Sequence, residues 1–187
     1  MHTTFYTKII NSNARRSIRD ELSKVVLSDK GLFPDLINIA FDINDKNHHK
    51  ACWILELVCE ARITWLKEHL TEFCNTLPLL KNDSAIRPIA KVCTFAIKHH
   101  AKDINFLNDK QLQQITEACF DWVINPDEKV AAKVYAIQSL YLLGKSNEWI
   151  YPELQPILEL DFSKHTAAYK ATAKDVLRKI ARQQKKH

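Results

Sequence analysis

The sequence predicts an all-α protein made by stacking antiparallel helix pairs, and three features lead to that class. Glycine is nearly absent: only Gly31 and Gly144 occur among 187 residues, fewer than phosphate-cradling loops, β-hairpins or doubly wound folds use. Apolar residues recur with a helical period in segment after segment. One four-slot pattern also repeats along the chain. Val134, Ile137, Leu140 and Tyr141 fall on one helix face; Ala90, Cys93, Ala96 and Ile97 occupy the same slots, as do Ala51, Ile54, Leu57 and Val58. Val134 follows Ala90 by 44 residues and Ala90 follows Ala51 by 39; a further step of 39 reaches Ala173, Val176, Lys179 and Ile180, where three slots hold. Periods of this length belong to helix-pair arrays, in which one pair cannot bury both its faces and neighbours must stack.

The elements follow in order. Phe5, Tyr6, Ile9 and Ile10 form a short apolar patch suited to a helical turn or a docked arm. From Ala14 to Ser28, Ile18, Leu22, Val25 and Val26 make one amphipathic face that ends at Asp29-Lys30-Gly31, and Pro34 opens a second helix with Leu36, Ile39, Ala40 and Ile43 inward. Asn47 is placed to cap His48–Arg62, the first copy of the repeat, whose return helix Ile63–Leu80 buries Leu66, Leu70, Phe73 and Leu77 and ends around Pro78. The second copy spans Asp83–His100, with Pro88 near its first turn. Its partner is Asp109–Ile124, with Leu112, Ile115, Cys119 and Val123 inward. The third copy, Asp127–Gly144, reads as a complete helix with Pro126 at its start and Gly144 as a left-handed stop. Its partner Glu148–Leu160 contains Pro152 and Pro156 and is expected to be short, bent or partly extended. A last helix, Lys164 to Arg182, has a thin stripe of Tyr169, Ala173, Val176 and Ile180, as a terminal cap requires.

Composition bounds the class further. The chain is 46% hydrophobic and 26% charged, as globular proteins are. One domain, residues 1–187, is expected, with capping helices in 1–45, repeats in 46–160 and a basic capping helix in 161–187. The five cysteines sit at mostly apolar helical positions and are odd in number, which disfavours a disulfide framework and fits a reducing cytoplasm. The opening Met1 to Lys8 has neither a signal nor a transit pattern, and no apolar run reaches the roughly 20 residues that span a bilayer. The net charge of +5 is too small to indicate nucleic-acid binding by itself.

The pattern Asp-x-x-(Ile/Val)-(Arg/Ala)-x-x-(Ala/Val), at Asp83 to Ala90 and at Asp127 to Val134, resembles the first helix of a HEAT repeat, and the resemblance covers roughly residues 44 to 182. At the arginine of that pattern the chain has Arg87 in one copy and Ala131 in the other, which breaks the usual arginine-to-aspartate ladder. The resemblance implies an all-α, right-handed α–α superhelix of about four antiparallel helix pairs plus a C-terminal capping helix. It also implies that the second helix of each pair lines the concave wall. On those helices and their first turns Asp35, Asp42, Glu68, Glu72, Asp109, Glu117, Asp121, Glu148, Glu153 and Glu159 stand against Lys67 and Lys110, so the wall should be acidic. The first helices and the tail hold most of the bases, among them Arg87, Lys91, Lys98, Lys170, Lys174, Arg178, Lys179, Arg182, Lys185 and Lys186. A solvated outer face accounts for these equally well.

The function this reading favours is a non-enzymatic scaffold whose acidic wall holds a basic protein or peptide, with the chain a monomer or weak dimer. The candidate contact residues are Trp65, Glu68, Glu72, Gln113, Gln114, Glu117, Asp121 and Tyr151; Trp65 also suits packing between neighbouring second helices. Trp53 and Trp122 lie near apolar faces, and Trp149 suits either role. No catalytic residue, cofactor site or metal site is expected. His48 with Cys52, and His99 with Asp103, have ligand spacing but no third ligand, and neither Cys-x-x-Cys, His-Glu-x-x-His nor Gly-x-Ser-x-Gly occurs. The alternative is a nucleic-acid-binding or base-excision protein similar to the HEAT-like alkylpurine glycosylases, with Trp65, Asp121 and Trp122 as loose echoes of their lesion site; the charge placement opposes it. A helper encoded with its client is indistinguishable from the leading reading.

Overall fold

The computed structural model describes residues 3–162 and 165–184. Among these, helices follow one another in the order α1 Thr3–Ile10, α2 Arg16–Ser28, α3 Phe33–Phe41, α4 His48–Arg62, α5 Leu70–Thr76, α6 Asp83–His100, α7 Asp109–Ile124, α8 Val130–Leu143, α9 Ile150–Asp161 and α10 Ala167–Gln184. A 3₁₀ segment Ile63–His69 precedes α5. The predicted start of the last helix at Lys164, and the tail lysines Lys185 and Lys186, lie outside the described residues.

The helices form two layers. The first helices stack on one another in the order α2, α4, α6, α8, α10, and the second helices α3, α5 and α7 stack alongside in the other layer. The predicted four pairs and capping helix are thus α2/α3, α4/α5, α6/α7 and α8/α9, with α10 closing the row of first helices. α9 packs against α8 and α10. The repeat slots are the core of the stack: Ala51, Ile54, Leu57 and Val58, Ala90, Cys93, Ala96 and Ile97, Ile137 and Leu140, and Ala173, Val176 and Ile180 are all buried. Val134 and Tyr141 are half-buried, and Lys179, the slot that fails the pattern, is exposed. A first helix in mid-stack touches the first helices on both sides, and α8 packs in addition against the preceding second helix α7, so it also buries Ala132, Ala136, Ser139 and Leu143 on its other faces. Small residues bring α6 and α8 together, and their buried hydroxyls, Thr94 and Ser139, bond at 2.9 Å.

Several local readings are corrected. The return stretch Ile63–Leu80 is a 3₁₀ segment, a seven-residue α-helix and a terminal 3₁₀ turn, Leu77–Leu79. Here Arg62, at φ −145° and ψ 58°, turns the chain directly out of α4, and Ile63 and Thr64 are β-branched. By contrast α9 is one continuous helix. Pro152 lies in its first turn, where an N–H would be unpaired anyway. Pro156 is exposed, so the carbonyl it leaves unbonded, that of exposed Pro152, faces water. Pro126 precedes α8 by a turn instead of opening it, since the helix starts at Val130. Gly144 has φ −63° and is right-handed; glycine is needed because a Cβ there would lie 2.2 Å from Tyr151 Cε1. Asn47 makes no side-chain cap; instead Asp45 Oδ1 accepts from the Asn47 N–H at 2.8 Å. The side chain of Asn82 caps α6 by accepting from the Ser84 N–H, and Asn108 and Gln111 form a capping box on α7.

Pro88 lies inside α6 and cannot donate to the carbonyl of Ser84 four residues earlier. The indole Nε1–H of Trp53, on α4, donates to that same carbonyl at 2.8 Å. The bond lost within one first helix is thereby replaced from the preceding one, which fixes their register. The N-terminal patch is α1, whose Phe5 and Ile9 are buried and whose Tyr6 hydroxyl donates to Asp45 Oδ2 at 2.7 Å.

Candidate functional site

The row of second helices presents a wall whose charge is set by a few positions. Asp42, Glu68, Glu72, Asp109, Glu117 and Asp121 are exposed there, and Glu153 and Glu159 are exposed on α9. Lys67 and Lys110 are the opposing bases named from the sequence, and the Lys67 ammonium is engaged by the backbone carbonyls of Asn105 and Phe106. Among the described residues none of these eight carboxylates is in a salt bridge. Glu117 accepts a bond from Gln113 Nε2 at 2.8 Å, and Glu117 and Asp121 share a face of α7 at helical i, i+4 spacing. Like charges so placed repel by about 0.2–0.5 kcal/mol.

In the other layer, the acids of α4, α6 and α10 are paired. Glu56, almost fully buried on α4, accepts from Arg87 Nη2 at 2.8 Å and from Lys91 Nζ at 3.0 Å, both on α6. Lys91 also reaches Glu60. Burial works against the Lys91 ammonium, yet the Glu56 bond and the charges of Glu56 and Glu60 outweigh it and hold Lys91 above its ordinary range. Asp83 pairs with Lys129, and Asp175 with Arg178 and Lys179. Those two pairs hold the Asp175 carboxyl below its usual range. The acids of α4, α6 and α10 are thus all neutralised by neighbours, and Arg87 uses Glu56 where the HEAT-like pattern would suggest an aspartate ladder. Lys133, at the position one turn beyond Lys129, is buried and donates to the Val123 carbonyl at the end of α7.

The residues selected from the sequence fall into two groups. Glu68, Glu72, Gln113, Glu117 and Asp121 are exposed on the wall. Gln114 is half-buried and donates to Asn75 Oδ1 at 2.9 Å, tying α7 to α5. Trp65 is half-buried, edge-on to Phe33 at 5.7 Å with Lys30 over its ring, so it packs at the start of the stack. Tyr151 is buried and turns away from the wall: its ring stacks on Tyr141, and its hydroxyl lies 3.0 Å from the Tyr141 carbonyl and 2.9 Å from Gln183 Oε1. Burial and Tyr141 push its phenol up to about 12. Asp121 and the buried Trp122 line one cleft with Asp83, Asp127 and Glu128; Trp65 lies elsewhere.

Trp149 is the feature that sequence reasoning left unassigned. It is 57% exposed, and its ring stacks on Phe120 of α7 at 5.8 Å. With Asp109, Leu112, Gln113, Thr116, Glu117 and Asn147 it lines a cleft of about 480 Å³. The signal was present in Lys145-Ser-Asn-Glu-Trp149, a polar turn carrying one large aromatic. All five cysteines are buried with their thiols pushed up, to about 12 for Cys74 and Cys119, by burial. They are small core side chains, not nucleophiles. Among the described residues no group of His, Cys, Asp and Glu is arranged to hold a metal ion, and no helix is long and apolar enough to cross a membrane.

The comparison with curated proteins and that with solved structures returned no match. The family model for the HEAT repeat domain matches residues 6–180. With that match spanning nearly the whole chain, and first and second helices stacked in two layers, the chain belongs to the HEAT repeat domain family.

Proposed function

We propose that this protein is a non-catalytic scaffold that holds a basic protein or peptide segment on the wall formed by its second helices. The observation that carries this reading is the contrast between the first helices α4, α6 and α10 and the row of second helices. Carboxylates on α4, α6 and α10 are neutralised within the chain, whereas Glu68, Glu72, Asp109, Glu117, Asp121, Glu153 and Glu159 are left exposed without a cationic partner among the described residues. A row of unneutralised, mutually repelling carboxylates favours an external cation and disfavours a phosphate backbone. Glu68, Glu72, Glu117 and Asp121 are the contacts at its centre, with Gln113 orienting Glu117.

The test is binding of a fluorescent peptide rich in lysine and arginine, measured by anisotropy at low and physiological salt. The wild type should bind with an affinity that falls steeply as salt rises. Reversing Glu68, Glu72, Glu117 and Asp121 to lysine should weaken binding by at least about tenfold, while reversing Glu21, exposed and unpaired on α2, should change it by less than about twofold. Equal losses from the two reversals, or tighter binding of a DNA duplex than of the peptide, would overturn the proposal.

A further inference from the structure

Trp149 opens a more specific question about the wall. Trp149 gives one face to Phe120, at an interplanar angle of 23°, and is otherwise largely in solvent. The stack fixes the plane of the indole before any partner arrives. The cleft it borders exists because α9 packs on α8 and α10, while the Gly144–Glu148 turn brings Trp149 back to α7. Leu112 and Thr116 form its floor, and the carboxylates on α7 are Asp109 and Glu117.

Resting on the scaffold reading above, we infer that this cleft takes two arginine side chains, four residues apart in an extended segment of the basic partner, one stacked on Trp149 and paired with Glu117, the other paired with Asp109. Each part follows from the geometry. Phe120 is three residues beyond Glu117, so the Trp149 ring lies at the Glu117 end of the cleft. A guanidinium is planar and weakly hydrated: it stacks flat on an indole while its edge donates two parallel bonds to a carboxylate, which an ammonium does not do. Gln113 Nε2 already bonds one Glu117 oxygen and holds the carboxylate in place. Asp109 and Glu117 are eight residues apart on α7, about 12 Å at 1.5 Å per residue. In an extended chain residues i and i+4 point to the same side and are about 13 Å apart. The cleft volume of about 480 Å³ is open enough for both side chains.

The probes are three fluorescein-labelled peptides of Gly, Ala and Ser: one with arginines at i and i+4, one with lysines at those places, and one with the two arginines adjacent. Binding is read by anisotropy and, without the label, by the change in tryptophan emission. The i, i+4 arginine peptide should bind at least about fivefold tighter than either alternative. Trp149→Ala should weaken it about tenfold and Glu117→Gln about fivefold, and Trp149→Phe should keep most of the affinity. Since Trp149 is largely exposed, its variants should match the wild type in circular dichroism and thermal unfolding, so the loss is one of binding. Salt-sensitive binding that Glu68→Lys and Glu72→Lys weaken but Trp149→Ala leaves unchanged would overturn this inference and leave the acidic-wall reading standing. If none of the three peptides binds, this inference is overturned; if the lysine- and arginine-rich peptide fails to bind as well, the acidic-wall reading falls with it.

Discussion

Replacing Gly144 by alanine separates two accounts of why glycine stands there. If the residue were a left-handed helix stop, any side chain would cost about 1 kcal/mol whatever its neighbours. Its φ of −63° removes that cause, and alanine in a right-handed conformation should by itself gain about 0.4–1 kcal/mol by restricting the unfolded chain. The obstacle is Tyr151. A Cβ at Gly144 would stand 2.2, 2.5 and 2.9 Å from its Cε1, Cδ1 and Cζ, where ordinary carbon contacts are about 3.5–4.0 Å. The ring would have to move by about 1 Å while stacked on Tyr141 and tied through its hydroxyl to the Tyr141 carbonyl and Gln183. Overpacking of this kind costs about 1–3 kcal/mol and a disturbed hydrogen bond about 1 more, so Gly144→Ala should destabilise by about 1–3.5 kcal/mol net of the gain from restricting the unfolded chain. In a Tyr151→Leu background the same change should be neutral or mildly stabilising. Urea unfolding followed by circular dichroism gives both values, and a double-mutant cycle should return a coupling of about 2–4 kcal/mol. An equal cost in the two backgrounds would refute the reasoning.

Three further outcomes are expected. Trp53→Phe should lower stability by about 1 kcal/mol in urea unfolding, and by less in a Pro88→Ala background, where an α6 N–H again serves the Ser84 carbonyl. Burial, opposed by the Lys129 N–H and helped by the charge of Asp83, raises the Glu128 carboxyl above its ordinary range. The folded state therefore holds this proton more tightly, and the stability it adds at acid pH is lost as pH rises from the ordinary glutamate value through the raised one. Glu128→Gln should be more stable than the wild type at pH 7, with the gain vanishing under acid conditions, as thermal unfolding against pH will report. Because burial holds the five thiols up, iodoacetamide should leave the native protein unlabelled by mass spectrometry and modify every cysteine in denaturant.

The layered stack was legible in the sequence because it rests on spacing. A helix whose neighbours lie on two sides must repeat its apolar slots, and Ala51, Ala90 and Ala173 all proved buried where the period places them. Exposure of Glu68, Glu72, Glu117 and Asp121 could be read the same way, since they fall between the buried residues of the Ile63–His69 segment, α5 and α7. What could not be read was long-range pairing. Nothing in the local pattern says that Arg87 and Lys91 will meet at Glu56, that Trp53 will serve the carbonyl freed by Pro88, or that Tyr151 will press on Gly144. Those depend on which side chains the stack brings together across more than one repeat, or across the α8–α9 turn. Proline misled for a related reason: at Pro156 the cost of the missing bond depends on whether the freed carbonyl faces water, and only the packing of α9 against α8 and α10 decides that.

The most direct measurement of the central claim is a ¹⁵N-edited NMR titration of the full chain with the i, i+4 arginine peptide. Shifts confined to α5, α7 and the Asn147–Glu153 region, strongest at the Trp149 indole and around Glu117, are what an uncompensated acidic wall with one aromatic anchor requires. Shifts spread over α4, α6 and α10, or a spectrum unchanged at saturating peptide, would contradict it.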